Sequence, residues 1–193
     1  MPECYSEQLA PDFQQTVQDR LLPLGSCIRF FRQKVFGEGA WVTGILLDAS
    51  RELLLLQTIS DQINLDGYQV LRRRDISHIE RPAPQQEFLM KALSLRNQKP
   101  THPGQINLNC METALKSISR LSPLVTIRQE ITDPDFCWIG RIHKVDNECL
   151  FMQSISPEAL LERGSDTYDT ELITRVNFGG AYEDALWQVY SNR

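Results

Sequence analysis

The feature that most constrains the fold is a short phrase that the chain contains twice. Residues 53–60 read LLLLQTIS, and residues 149–156 read CLFMQSIS. Three further landmarks recur in the same order: RLLPL at 20–24 as RLSPL at 120–124, Trp41-Val42 as Trp138-Ile139, and ISHI at 76–79 as ITRV at 173–176. Offsets of 96 to 100 residues that keep their order predict an internal duplication, rather than a repeated catalytic signature.

The duplication predicts two copies, residues 1–95 and 105–193. Between them, residues 96–104 form a polar linker with two prolines. Each copy shows the same plan of a helix, five short strands and a short closing helix. The first helices are predicted at 11–22 and at about 107–121, each ended by the proline of an LxPL sequence, and the closing helices at 87–95 and 182–190.

Turns rich in Gly, Asp, Asn and Pro divide each copy into strands. The predicted strands are CIRFFRQKV, AWVTGILLDA, ELLLLQTI, GYQVLRR and SHIER in the first copy, and LVTIRQEI, CWIGRIHKV, CLFMQSI, TYDTELI and TRVNF in the second. Four consecutive leucines, Leu53–Leu56, require burial on both faces of their strand, with one face in a barrel and the other under a helix. The sequence therefore predicts a mainly β fold with helices, in which each copy is a bent, partly closed barrel.

Two fragments link this plan to a known family. Residues 140–146, GRIHKVD, match the Gly-x-apolar-x-x-x-Asp pattern that Sm-like (LSm) proteins carry on their second strand. Residues 71–76, LRRRDI, match the family's apolar-Arg-Gly-x-x-Ile pattern, except that Arg73 stands in place of Gly. The order of elements also resembles the Sm-like fold. The resemblance implies two Sm-like five-stranded barrels in one chain.

The departures from the family pattern fall on its RNA site. In the first copy Gly44 and Asp48 are only four residues apart, and DTELI at 169–173 lacks both the Arg and the Gly. Family members bind a base with an Asn shortly after the Asp, where this chain has Glu52 and Leu150. The resemblance therefore implies the barrel architecture without the RNA recognition of the family.

Composition restricts the functional classes. The net charge of −5 makes the whole molecule a poor general binder of polyanions, although a local basic stripe is compatible with it. No stretch approaches the roughly 18 apolar residues of a membrane span, and the acidic N-terminus is unlike a signal peptide. The five cysteines are odd in number and lack a CxxC pair. We therefore predict no membrane association, no disulfide framework and a cytoplasmic location.

Catalytic signatures are missing from the sequence. The three histidines, His78, His102 and His143, accompany neither a GxSxG motif nor a catalytic cysteine pattern, and no His/Cys group has zinc-ligand spacing. The GEG sequence at 37–39 joins two strands, which is typical of a hairpin rather than of a phosphate loop. We predict a protein that is not an enzyme, with no catalytic residue, no metal and no small-molecule cofactor.

The basic residues of the first copy are the candidate nucleic-acid site. They lie on its first and fourth strands, where strand alternation predicts Arg72 and Arg74 on one face and Arg73 on the other. The six candidates are Arg29, Arg32, Lys34, Arg72, Arg73 and Arg74. Phe30 and Phe31 lie among the first three, as in proteins that bind single strands by stacking and phosphate contacts. A solvated barrel face with both phenylalanines in the core is the alternative interpretation.

Two functional hypotheses follow. In the first, the chain is a non-enzymatic binding or scaffold protein. A tandem of barrels can bury one strand edge of each copy against the other, and the unpaired outer edges then contact protein partners or self-associate. In the second, the basic face of the first copy binds single-stranded RNA and the second copy has a structural role.

Overall fold

The structure is a computed structural model that describes residues 22–35, 37–81, 83–146 and 148–193. Over these ranges the protein is mainly β, with three α-helices, as predicted. The helix predicted at 11–22 lies outside the described residues, apart from Leu22.

Ten strands and three helices follow one another in a repeated order. The N-terminal half, residues 22–95, contains β1 (Cys27–Phe31), β2 (Trp41–Ala49), β3 (Leu53–Ile59), β4 (Leu65–Arg72), β5 (His78–Glu80) and α1 (Gln86–Leu95). The C-terminal half, residues 105–193, contains α2 (Met111–Ile118), β6 (Val125–Arg128), β7 (Trp138–Asp146), β8 (Cys149–Ser154), β9 (Asp166–Asp169), β10 (Arg175–Phe178) and α3 (Ala181–Ser191). Every predicted strand and each closing helix is confirmed.

Two strand ends differ from the prediction at the basic residues. β1 ends at Phe31, so Arg32 and Lys34 lie in the turn that follows. β4 ends at Arg72, and residues Arg73–Asp75 form a short 3-10 turn. The alternation predicted for Arg72, Arg73 and Arg74 is therefore wrong, because only Arg72 belongs to the strand.

The strands form one antiparallel ten-stranded sheet with the order β5-β1-β2-β3-β4-β10-β6-β7-β8-β9. The first five strands have the order 5-1-2-3-4, and the last five repeat this order with their own strands. The sheet is continuous between the two halves, because β4 at the edge of one half pairs with β10 at the edge of the other. The outermost strands are β5 at one end and β9 at the other.

Backbone irregularities recur at equivalent positions in the two halves. The β2–β3 ladder shifts register between Leu46 and Asp48, and the β7–β8 ladder shifts between Ile142 and Lys144, 96 residues later in both cases. A hydrogen bond of 2.9 Å joins Ser77 N to the Phe31 carbonyl oxygen, and another of 2.9 Å joins Thr174 N to the Arg128 carbonyl oxygen. A β-bulge is an extra residue at one defined position of a strand pair. Its recurrence at equivalent positions shows that the two halves resemble each other in backbone geometry as well as in strand order.

The four leucines of β3 are fully buried, as predicted. Leu54 and Leu56 face a core cluster of the N-terminal half. Leu53 and Leu55 face the other way, into a larger cluster that contains α2 and the strands of the C-terminal half. The helix predicted over this face is therefore present, but it belongs to the second half.

The closing helices cover corresponding parts of the sheet. Leu93 of α1 packs with Cys27 and Ile45 of the N-terminal half. Leu186 of α3 packs with Leu124 of the C-terminal half, in a cluster with Ile155. Each helix buries one side chain or more against a strand face, which is the way an amphipathic helix is stabilised in a protein.

Candidate interaction surfaces

The two outer strands, β5 and β9, are the edges through which the sheet could be extended. Among the described strands, β9 pairs only with β8 and β5 pairs only with β1. Unpaired backbone groups on an edge strand are a template for another strand. The edges therefore have the geometry that strand addition requires.

The backbone geometry of β9 identifies the donor at its edge. Thr170 N donates to the Glu148 carbonyl oxygen over 2.7 Å, which fixes the hydrogen-bonded pairs of this ladder. Because such pairs alternate along an antiparallel ladder, Tyr168 bonds to β8 and the N–H of Thr167 points to the outer side. Thr167 is exposed.

The junction between β4 and β10 is the interior counterpart of these edges. Its register places Val70 opposite Val176 and Tyr68 opposite Phe178. The rings of Tyr68 and Phe178 stack with centroids 5.4 Å apart. Gly67 approaches the backbone of the C-terminal half so closely that a Cβ atom would lie 2.6 Å from Gly180 N. Apolar packing and close backbone contact therefore join the two halves.

A buried ion network crosses the same junction. Arg32, with no exposed side-chain area, donates to both carboxylate oxygens of Glu130 over 2.6 and 2.8 Å. Arg175 and the hydroxyl of Thr174 also donate to Glu130, the hydroxyl over 2.8 Å. Burial alone would raise the pKa of Glu130, but the Arg32 hydrogen bonds and the charge of Arg175 hold that pKa below its ordinary value.

Arg32 also requires a glycine beside it. Its guanidinium donates to the Gly39 carbonyl oxygen over 3.0 and 2.5 Å. A Cβ atom on Gly39 would lie 2.7 Å from Glu130 Oε1. The GEG turn, predicted as a hairpin connection, therefore leaves space for the Arg32–Glu130 pair.

Arg72 and Arg74 bind the segment that follows β9. Arg72 is buried and donates to the carbonyl oxygens of Ile173 and Thr170 over 2.7 and 2.5 Å. Burial lowers the pKa of Arg72, and the charge of Arg74 lowers it further. The half-exposed Arg74 pairs with Glu171. Both side chains therefore hold the two halves together.

The remaining candidates of the predicted basic site have different surroundings, although Lys34, like Arg72 and Arg74, lies close enough to Asp75 for its charge to oppose the burial that raises the pKa of this carboxyl. Arg73 is buried and donates to the Ser50 carbonyl oxygen over 3.0 Å. Arg29 lies 4.1 Å above the Trp41 ring and 3.4 Å from Glu80. Lys34 is exposed in the turn after β1. Arg32, Arg72 and Arg73 are thus buried in contacts within the chain, whereas Arg29, Lys34 and Arg74 reach solvent.

Arg29 belongs to a half-exposed row of aromatic side chains. Phe31 pairs in register with Trp41 on one side and with His78 on the other. The Phe31 and Trp41 ring centroids are 4.8 Å apart, and the Trp41 and His78 centroids are 6.2 Å apart. Phe30 is buried on the opposite face. Phe31 therefore lies beside Arg29 on a half-exposed face, as a stacking residue would, whereas Phe30 lies in the core.

Sequence reasoning missed Glu130 and Arg175 as centres of the buried network. Neither residue carries a signal from the repeat. At the offset of 97 residues that relates Arg128 to Phe31, Glu130 is equivalent to the neutral Gln33 and Arg175 to His78. The described ranges contain no group of three or more His, Cys, Asp or Glu side chains able to hold a metal ion.

Comparison with models of protein families, with curated protein sequences and with solved structures finds no match to this chain. Among the described residues, no helix is long and apolar enough to cross a membrane.

Proposed function

We propose that the chain is a non-enzymatic, cytoplasmic binding or scaffold protein built from two duplicated Sm-like barrels. Its outer strands, β5 and β9, pair with a strand of a second copy or of a protein partner. The observation that carries the proposal is the β4–β10 junction, where one half already extends its sheet with a strand of the other.

The duplication is supported by equivalent backbone geometry. The halves share strand order, and their β-bulges lie 96 residues apart. By this equivalence β9 corresponds to β4, and β5 corresponds to β10. A β9–β5 contact between two molecules would therefore repeat the pairing that joins the halves within one molecule.

The two edges differ in charge. The β9 edge is acidic at Asp166 and Asp169, whereas the one acid of β5, Glu80, is paired with Arg29, and Arg81 follows the strand. A β9–β5 contact therefore places the acidic edge beside two arginines and a paired acid, which limits like-charge repulsion.

Light scattering tests the proposal through one edge residue. Thr167→Pro removes the outward N–H without removing a hydrogen bond to β8, as proline on an edge strand does. Thr167→Val retains that N–H and is the matched control. We expect the wild type and Thr167→Val to exceed the mass of one chain, and Thr167→Pro to be reduced towards it. A wild-type mass of one chain at all concentrations, together with no bound protein partner, would contradict the proposal.

The half-exposed row of Arg29, Phe31 and Trp41 supports a second candidate function, binding of single-stranded RNA. Stacking on aromatic rings beside an arginine is the usual arrangement for such ligands. We expect Trp41→Ala to abolish retardation of labelled single-stranded RNA at low salt, and Arg163→Gln, in an exposed loop of the other half, to leave it unchanged. Absence of retardation of the RNA by the wild type would exclude this candidate.

A further inference from the structure

A cleft of about 590 Å³ lies beside the buried ion network. Arg128, Arg175 and Glu130 line it from the C-terminal half, together with Pro134 and Asp135 of the loop after β6, and Gly37 and Gly39 line it from the N-terminal half. Its volume falls in the range of about 300–1,000 Å³ that is usual for small-molecule sites.

Two arginines lie opposite each other in this cleft, although Arg175 also pairs with Glu130. Arg128 and Arg175 are direct cross-strand neighbours of β6 and β10, so their side chains lie on one face. Like charges directly opposite each other destabilise a sheet. The fold does not require them, because the equivalent positions in the N-terminal half are Phe31 and His78, which are also paired in register.

Both guanidiniums have unused hydrogen-bond donors. Among the described residues, the Arg128 side chain has no hydrogen-bond or ion-pair partner. The Nε atom of Arg175 is buried and also has no partner within this part of the chain. A buried donor without an acceptor costs free energy, which an oxyanion in the cleft would offset.

Glu130 does not neutralise the cleft. Its carboxylate already accepts from Arg32, Arg175 and Thr174. Among the described residues that line the cleft, the guanidiniums of Arg128 and Arg175 face the carboxylates of Glu130 and of the exposed Asp135, and the charge of Glu130 is already shared with the buried Arg32. Burial lowers the pKa of Arg175 to about 10, and although Glu130 opposes this change, the charges of Arg32 and Arg128 add to it.

We propose that this cleft binds the phosphate group of a small molecule, held between Arg128 and Arg175. A phosphate group carries up to two negative charges and more acceptor oxygens than a carboxylate, so it matches two neighbouring guanidiniums better. The site is independent of the edges of the sheet, so it can exist whether or not the protein associates through β5 and β9.

NMR of the arginine side-chain N–H signals tests this site on the full chain. Inorganic phosphate is titrated into the protein and compared with chloride at equal ionic strength and with acetate. We expect saturable shifts of the Arg175 and Arg128 Nε–H signals with phosphate, and weaker shifts with acetate. Arg128→Gln should weaken phosphate binding at least tenfold, since one charge-assisted hydrogen-bonded contact is lost. Arg163→Gln, which removes a charge outside the cleft, should leave it unchanged.

A second variant changes the charge at the rim of the cleft and leaves the buried ion network intact. Asp135→Asn removes a negative charge from the rim and should tighten phosphate binding. The proposal is overturned if phosphate shifts these signals no more than chloride does, if acetate binds as tightly as phosphate, or if Arg128→Gln binds like the wild type. Thr167→Pro should bind phosphate normally, which separates this site from the proposed association.

Discussion

Strands β3 and β8 carry the same short phrase, yet their surroundings differ. All four leucines of Leu53–Leu56 are fully buried, whereas in β8 only Leu150 and Met152 are buried and Cys149 and Phe151 are half-exposed. The shared face is the core of each half. The other face of β3 is covered by the C-terminal half, and the other face of β8 is not covered to the same extent.

The continuity of the sheet explains this difference. Val70, Val176 and Ile127 are successive cross-strand neighbours, so the outer face of β4 continues into the inner face of the C-terminal half. Equivalent residues at β9 have no further strand beside them within the described part of the chain. Position in the sheet, rather than the repeated sequence, therefore determines how much of each strand is buried.

The largest expected effect is at the junction. Glu130→Ala should lower the free energy of unfolding by about 3–5 kcal/mol, because it leaves Arg32 buried without a counter-charge. The equivalent position in the N-terminal half is the exposed Gln33. Gln33→Ala should change stability by less than about 0.5 kcal/mol. Urea denaturation measures both, and similar effects of the two substitutions would contradict the asymmetry of the halves.

The second prediction concerns the faces of β3 and β8. Leu55→Ala should cost about 3 kcal/mol, as is usual for truncation of a buried leucine. Phe151→Ala, at the equivalent position, should cost only about 1–2 kcal/mol, because its half-exposed ring has less area to lose from the interior. Urea denaturation of the two variants measures both losses of unfolding free energy. A larger loss for Phe151→Ala than for Leu55→Ala would contradict the difference in burial between β3 and β8.

The smallest expected effect is on pH dependence. The pKa of Glu130 is held below its ordinary value of 4.5, so its stabilising contribution is present above that pH and is lost as pH falls below it. The slope of unfolding free energy against pH below about 4.5 should therefore be shallower in Glu130→Gln than in the wild type.

Asp75 contributes with the opposite sign and serves as the comparison. Burial raises the pKa of Asp75, so its protonated form is favoured in the folded state and its contribution is lost as pH rises. Asp75→Asn should therefore make the acid slope steeper or leave it unchanged. Denaturation midpoints over a pH series distinguish the two carboxyl groups, and a shallower slope for Asp75→Asn would show that this assignment is wrong.

Strand order along the chain could be predicted from sequence because local signals specify it. The four consecutive leucines, Leu53–Leu56, predict a strand that is buried on both faces, and the polar turns on either side limit its length. Which two strands pair between the halves could not be predicted, since residues 70 and 176 are far apart in sequence and nothing local marks Val70 or Val176 as a junction residue.

The predicted site shows the same limit. Sequence identified the basic residues of the N-terminal half but not their contacts, because Arg32 finds its acid, Glu130, 98 residues away. The charge of Arg32, predicted to lie on a binding surface, is in fact buried in an ion pair. The position of Arg29 beside a phenylalanine could be predicted, because Arg29 and Phe31 belong to the same strand. The position of Trp41 beside them could not, because it depends on the pairing of β1 with β2.

Amide hydrogen exchange at two equivalent residues, Val70 and Thr167, shows whether the outer edge of β9 takes up a further strand. The amide of Val70 lies at the β4–β10 junction, and that of Thr167 lies at the edge of β9. We predict that Val70 is protected at every protein concentration, and that protection of Thr167 rises with concentration or on addition of a protein partner. Fast exchange at Thr167 under all these conditions, with Val70 protected throughout, would contradict the proposal that the outer edge is used for binding.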